Sequence, residues 1–167
     1  DDVVRLFYNL RKEIPAKLLL VGDGPERTHI EQLCRELGTC DDIRFLGKLE
    51  AVEEVLSVAD LFIMPSEKES FGLAALEAMA CEVPVISTNT GGLPELNIHG
   101  ETGFMSDVGD IEDMTKNALK VLDEKNLPKF KANALKRAKE FDISNILPQY
   151  EGMYMRILSA QRQTQPI

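Results

Sequence analysis

The chain has 167 residues, 44% of them hydrophobic, with 19 Lys and Arg against 28 Asp and Glu and a formal net charge of −9. This length suits one domain with a core of its own, and the acidic balance argues against a general binder of nucleic-acid backbone or anionic lipid, which needs a basic face. No apolar run reaches the roughly 18 residues of a membrane-spanning helix, and the first residues do not read as a secretory leader.

Val3, Leu6, Phe7, Leu10 and Ile14 recur at helical spacing, so residues 2–14 read as an amphipathic helix. The run KLLLVG at 17–22 is a short buried strand that ends in glycine. Pro25 suits a first helical turn and Gly38 a C-cap, which sets a helix between them. Strands follow at 43–46, 61–64, 84–87 and 103–105, with helices at 51–58 and 71–81, and residues 88–94 (TNTGGLP) read as a loop. From 111 onward the pattern is wholly helical, in three segments marked by Ile111 to Leu122, Leu127 to Phe141, and Ile146, Tyr150, Met153 and Ile157.

Short apolar strands alternating with helices predict an α/β domain, a Rossmann-like doubly wound parallel sheet with extra helices at its C-terminal end. The expected organisation is one domain over 1–160 and a frayed tail over 161–167, where QRQTQPI has no apolar periodicity. A doubly wound domain usually opens on a strand, whereas this chain opens on a helix. The expectation is therefore a piece of a larger protein that begins just after the first strand and loop of its domain. The apolar seam of the last helix (Met153, Tyr154, Ile157) would then be either core or a face for the absent part.

The cysteines Cys34, Cys40 and Cys81 are odd in number and form no C-x-x-C pair, so neither a disulfide framework nor a zinc site is expected, and a reducing cytoplasm is the natural compartment. His29 and His99 have no ligand set at metal-binding spacing, and the chain has no D-x-D sequence. No metal is expected. His99 reads as part of a turn, and Ser66 and Ser70 lack a histidine partner for nucleophilic catalysis.

Ligands of open parallel sheets bind beyond the carboxyl ends of the strands. Four loops therefore matter: 22–25, 47–49, 65–73 and 88–95, each containing glycine. Gly22 and Gly24 permit a tight turn and close approach of a ligand to the backbone. They make a poor dinucleotide fingerprint, because Arg27 stands at the third glycine position and no acidic residue ends the second strand, where Leu46-Gly47-Lys48 lies. A nicotinamide-dependent oxidoreductase is disfavoured on both counts, and a receiver-like signalling domain lacks its acidic cluster at the strand ends.

The stretch Glu69 to Glu77 (ESFGLAALE) is the sharper feature. Eight steps would separate the two carboxylates by about 12 Å if all were helical, roughly the span from a sugar across a diphosphate to a ribose. The N–H groups of Phe71, Gly72 and Leu73 would face the anionic middle of such a ligand. Phe71, Leu73, Leu76 and Met79 carry side chains that read more readily as core. The plainer reading makes both glutamates solvated helix residues. Gly91-Gly92 would let backbone approach the ligand from the far side, or would serve the loop's own geometry. The acidic run 107–113 is a helix start with favourable charges.

The segments LLLVGDGP (18–25), IRFLG (43–47), ADLFIMPSEKESFGLAALEAMA (59–80), PVISTNTGGLPEL (84–96) and GETGF (100–104) resemble the retaining glycosyltransferases of family GT4, closely over 17–122 and loosely in the tail. The resemblance implies a GT-B fold, in which two Rossmann-like domains face each other across a cleft, and it matches this chain to the second, donor-binding domain. It implies that Glu69 is the catalytic residue, beside the donor sugar. It also implies that Ser70, Phe71, Gly72 and Leu73 meet sugar and diphosphate, that Glu77 binds the ribose, that Leu46, Gly47 and Leu49 lie near the nucleobase, and that Gly22 and Gly24 line the pocket floor. The reaction would retain anomeric configuration and need no metal. The leaving diphosphate would be held by helix N–H groups and by an Arg/Lys pair located just after the domain's first strand, upstream of Asp1. The implied partners are a nucleotide-sugar donor and an N-terminal acceptor domain, and a chain without that domain and that pair would bind donor weakly and transfer nothing, acting as a sugar-nucleotide-binding module. Within the family, SEKESFGLAALEAMAC (66–81) and GGLPELNIHGETGF (91–104) are most similar to bacterial members that pass N-acetylglucosamine from UDP-N-acetylglucosamine to L-malate in bacillithiol synthesis. Glu82 departs from the family, which has glycine after the helix, and predicts a left-handed non-glycine residue there.

Overall fold

The computed structural model describes residues 1–163. The elements run α1 (Asp2–Glu13), β1 (Leu18–Val21), α2 (Arg27–Glu36), a 3-10 turn (Cys40–Asp42), β2 (Ile43–Gly47), α3 (Val52–Leu56), β3 (Phe62–Met64), α4 (Leu73–Ala80), β4 (Val85–Thr88), α5 (Leu93–Leu96), β5 (Gly103–Ser106), α6 (Ile111–Leu122), α7 (Leu127–Glu140) and α8 (Ile143–Gln163). Every strand and every long helix read from the sequence is present. Of the tail expected to fray, residues 164–167 lie outside the described residues, and 161–163 belong to α8.

All ladders are parallel, as the alternating pattern requires, but the expected single sheet is divided. β1 pairs with β2, and separately β3, β4 and β5 pair in that order. Periodicity identifies strands; it does not name their neighbours. The two sheets are joined by α1. Its Val4 and Phe7 pack with Leu18, Leu33 and Ile43 over the first sheet, while its Leu6 and Leu10 pack with Ile86, Met114, Ala118, Val121 and Phe130 over the second. A third cluster sets Ala75 and Met79 of α4 against Val85, Leu96, Ala134 and Ala138, so α7 covers α4. Burying these side chains supplies the main driving force, at about 25 cal/mol per Å² of apolar surface.

Several local features follow from single residues. Asp110 caps α6 by accepting from the Asp113 N–H at 2.9 Å, the favourable start that the acidic run suggested. Glu82 has φ +64° and is the one non-glycine residue with positive φ among the described residues. Leu93 and Pro94, read as the end of the loop 88–94, open the one-turn helix α5, because Pro94 sits in the first turn, where its missing N–H costs nothing. Buried Asn97 donates to Val85 O, Ser87 Oγ and Phe104 O, which ties the segment after α5 to β4 and β5.

The cysteine expectation is corrected. Cys34 and Cys40 form a disulfide with a Cα–Cα separation of 5.1 Å, joining the last turn of α2 to the 3-10 turn before β2. Counting cysteines could not show that the tight turn at 37–39 folds one sulfur onto the other. Cys81 is free. The seam on α8 is exposed rather than core: Tyr154 and Ile157 are 58% and 51% accessible. No helix among the described residues is long and apolar enough to cross a membrane.

Candidate functional site

The loops at the carboxyl ends of β1 and β2 meet directly. The Gly22 N–H donates to Gly47 O at 2.7 Å, extending the parallel ladder by one bond and holding the two turns side by side. Nothing stands within 4 Å of where a Cβ on Gly22 or Gly24 would lie, so a ligand can approach the backbone there. Leu46 and Leu49 are partly exposed beside these glycines, as is Val21. The edge is thus apolar side chain alternating with bare peptide, suited to a flat ring. The Arg27 guanidinium lies 5.6 Å from the centroid of the Phe45 ring and pairs with Glu31 at 3.0 Å, so it is engaged with protein rather than standing in for the missing third glycine.

The second cluster lies at the ends of β3 and β4. The chain leaves β3 at Pro65 and turns through 66–72 into α4. Gly72 makes the final turn at φ +99°, a conformation that calls for glycine, and a Cβ there would come within 2.7 Å of Leu93 Cδ2, which would have to shift. α4 buries Ala75, Ala78 and Met79 and leaves Glu77 on its open side. Leu73, grouped by sequence with the core positions, is 66% exposed. It occupies the first helical position, ahead of the stripe that faces α7. Phe71 does pack inward, its ring 5.5 Å from that of Phe141. Ser70 is exposed.

Of the three N–H groups expected to face an anion, those of Phe71 and Gly72 converge on a group of the protein itself. Oε1 of Glu69 accepts from Phe71 N–H at 3.2 Å and from Gly72 N–H at 3.1 Å. Glu69 is folded back on the helix mouth rather than extended away from it.

Of the two readings of Gly91 and Gly92, the contacts fit the one in which they serve loop geometry. A Cβ on Gly91 would lie 1.7 Å from Glu69 O, and one on Gly92 would lie 2.3 Å from Ser70 O. The glycines admit another stretch of backbone, that of the Glu69 loop. The Gly92 N–H donates to Glu69 O at 3.1 Å, Thr88 Oγ1 to Ser66 O at 2.6 Å and Thr90 Oγ1 to Glu67 O at 3.2 Å. Sequence reading missed the two threonines. Their only signal was hydroxyls placed where a strand hands over to a glycine turn. His99, read as part of a turn, instead bridges in parallel to Gly103 just before the turn at 100–102, its Nδ1 accepting from Met105 N–H at 3.1 Å and its ring edge-on to Phe104.

The candidate residues thus form two groups, Gly22, Gly24, Leu46, Gly47 and Leu49 at one sheet's end and Glu69 to Leu73 with Glu77 at the other's. Chemically, the second group offers N–H donors and the positive end of an eight-residue helix to an anion, with carboxylates able to accept from hydroxyls.

Residues 1–141 match the family described as Glycosyl transferases group 1. The chain is 45% identical over 163 residues to the N-acetyl-alpha-D-glucosaminyl L-malate synthase of Bacillus anthracis, covering 95% of this chain and 42% of that protein. The sucrose-phosphate synthase of Thermosynechococcus elongatus superposes with a TM-score of 0.81 at 31% identity, over 94% of this chain and 42% of that one. Anabaena HepE, solved in complex with UDP, superposes with a TM-score of 0.79 at 25% identity, over 90% of this chain and 44% of that one. The chain therefore spans less than half the length of each.

Proposed function

This chain belongs to the glycosyl transferases group 1 family, and from that premise we propose that it is the donor-binding half of a retaining, metal-independent glycosyltransferase. The observation that carries the reading is the mouth of α4, where the Phe71 and Gly72 N–H groups converge on one carboxylate oxygen and Glu77 stands exposed further along the helix. In this reading those N–H groups and the helix dipole receive the donor's diphosphate and stabilise the charge that grows on it as the sugar leaves. Glu77 accepts from the ribose hydroxyls. Glu69 is the catalytic residue, holding a sugar hydroxyl so that the acceptor attacks the face the leaving group departs from. The flat edge formed by Gly22, Gly24, Leu46, Gly47 and Leu49 takes the nucleobase.

We assign UDP-N-acetylglucosamine as donor and L-malate as acceptor, a bacterial reaction that begins bacillithiol synthesis. The likeness to the L-malate synthase supports both assignments, and the UDP bound by HepE supports the base. Titration of the chain with UDP-N-acetylglucosamine, UDP and ADP, followed by amide NMR, tests the reading. Shifts at 22–24, 45–49 and 69–77 that are larger for the uridine ligands are expected. Shifts elsewhere, or equal responses to ADP, count against it. Glu77→Ala should weaken UDP binding by about tenfold to a hundredfold, the loss of one or two hydrogen bonds to a charged group, and an unchanged affinity would remove the ribose role.

A further inference from the structure

We propose that Glu69 is a displaceable latch: in the free protein its carboxylate occupies the Phe71 and Gly72 N–H groups as a stand-in for the donor's anionic group, and donor binding expels it toward the sugar. The inference rests on the donor-site reading given above and adds a step to it.

Three observations carry the inference. First, the occupant is itself an anion on the donor set assigned to the ligand: a single oxygen, Glu69 Oε1, bridges both N–H groups at 3.2 and 3.1 Å. A ligand oxygen and Glu69 cannot both hold that pair. Second, the backbone around Glu69 is pinned. Thr88, Thr90 and Gly92 donate to the carbonyls of Ser66, Glu67 and Glu69, and Gly91 abuts Glu69 O. The exchange is therefore a side-chain rotation, with the N–H pair left in place and aimed. Third, Glu69 is only half-buried, so the rotation has open space to enter.

The consequence is a coupling between binding and positioning. While the pair is empty of ligand, Glu69 satisfies it. Once a diphosphate oxygen takes the pair, the carboxylate is repelled from the same spot and must find other donors, and the sugar hydroxyls attached to that diphosphate are the nearest new ones. The catalytic carboxylate is thus delivered only when donor is present. The cost is affinity: a site that is self-occupied for most of the time binds more weakly by the fraction left open.

The test compares the wild-type chain, Glu69→Gln, Glu69→Ala and Glu67→Gln, with UDP and inorganic pyrophosphate as ligands and amide NMR as both the affinity and the folding readout. Glu67 is two residues away and exposed, so its variant removes the same charge without touching the N–H pair. Removing the latch should tighten UDP and pyrophosphate binding by about fivefold or more, as expected for a site that is otherwise about 80% self-occupied. Glu67→Gln should change either affinity by less than about twofold, as screening allows for an exposed charge. The free-state Phe71 and Gly72 amide resonances should move in the Glu69 variants and stay in place in Glu67→Gln. If the wild type binds UDP and the Glu69 variants bind it equally or more weakly, the latch is overturned and the donor site stands. Equal tightening in Glu67→Gln reduces the effect to general charge and also overturns the latch. If no variant and no wild-type protein binds UDP, the donor-site reading fails and takes the latch with it. Should Glu69→Ala unravel the start of α4, Glu69→Gln carries the comparison: its amide oxygen can still accept from the pair but has no charge, so a smaller tightening is expected and none at all overturns the latch.

Discussion

At Gly91 two requirements act on one atom. The backbone has φ +56°, and the Glu69 carbonyl lies 1.7 Å from where a Cβ would be. Conformation alone costs a non-glycine residue about 1–2 kcal/mol there, and the second requirement forces the Glu69 loop to move as well. Gly91→Ala should therefore destabilise the chain by about 3 kcal/mol, measured by urea unfolding. A loss under about 1 kcal/mol would show that the two loops separate freely. Asp42 is the other residue whose surroundings set its behaviour. Hydrogen bonds from Lys17 and Arg11 hold its carboxyl below the usual range. A lowered pKa means that the folded chain favours the charged form. The stabilisation is complete above the ordinary carboxylate pKa of about 4 and is lost as pH falls through the lowered value. Asp42→Asn should lower Tm at pH 7, and the gap from wild type should close on acidification below pH of about 4. A gap that persists in acid would mean that the side chain acts through shape rather than charge.

Among the elements, α4 shows how local sequence and packing cooperate. Ala75, Ala78 and Met79 form the buried stripe, Gly72 permits entry and Glu82 leaves in a left-handed turn. These features were legible because each depends on residues within one or two turns. The short elements were harder. α5 hid behind Pro94, and the 3-10 turn at Cys40–Asp42 has no periodicity to detect. The disulfide joining α2 to that turn has a stability consequence. Closing a loop of this length restricts the unfolded chain by about 2 kcal/mol in the chain-entropy account. Reduction should lower the unfolding free energy by about that amount, seen by comparing melts with and without a thiol reductant. Identical melts, with the bond confirmed by a 2 Da mass difference, would show that packing alone holds the turn.

For the whole molecule the decisive element is α1. One helix places Leu6 and Leu10 over the three-stranded sheet and Val4 and Phe7 over the two-stranded one. The two sheets share no ladder, so α1 couples them. Leu6→Ala should cost about 2–5 kcal/mol, as a fully buried leucine does, and unfolding should remain a single transition as long as both sheets depend on the helix. A variant within about 1 kcal/mol of wild type would show that the contact is dispensable. At the other end, α8 exposes Ile143, Leu147, Tyr150, Met153, Tyr154 and Ile157 along its length, while its predecessor α7 buries Phe130, Ala134 and Ala138. Both helices have apolar periodicity; only one has a partner to bury it.

That contrast marks the division between sequence and structure in this protein. Alternating apolar runs and helical stripes were enough to establish five strands and the long helices, because the signals lie within a few residues of one another and depend on backbone geometry that every chain shares. The Glu69 to Glu77 spacing was legible only in part, because α4 begins at Leu73 and residues 69–72 are loop rather than helix. Contacts between distant segments were beyond the sequence: the division into two sheets, the disulfide between Cys34 and Cys40, the threonine and glycine clamp on the Glu69 loop, and the carboxylate folded onto its own helix mouth. Each depends on which surfaces meet when the chain compacts, and no local period encodes that choice.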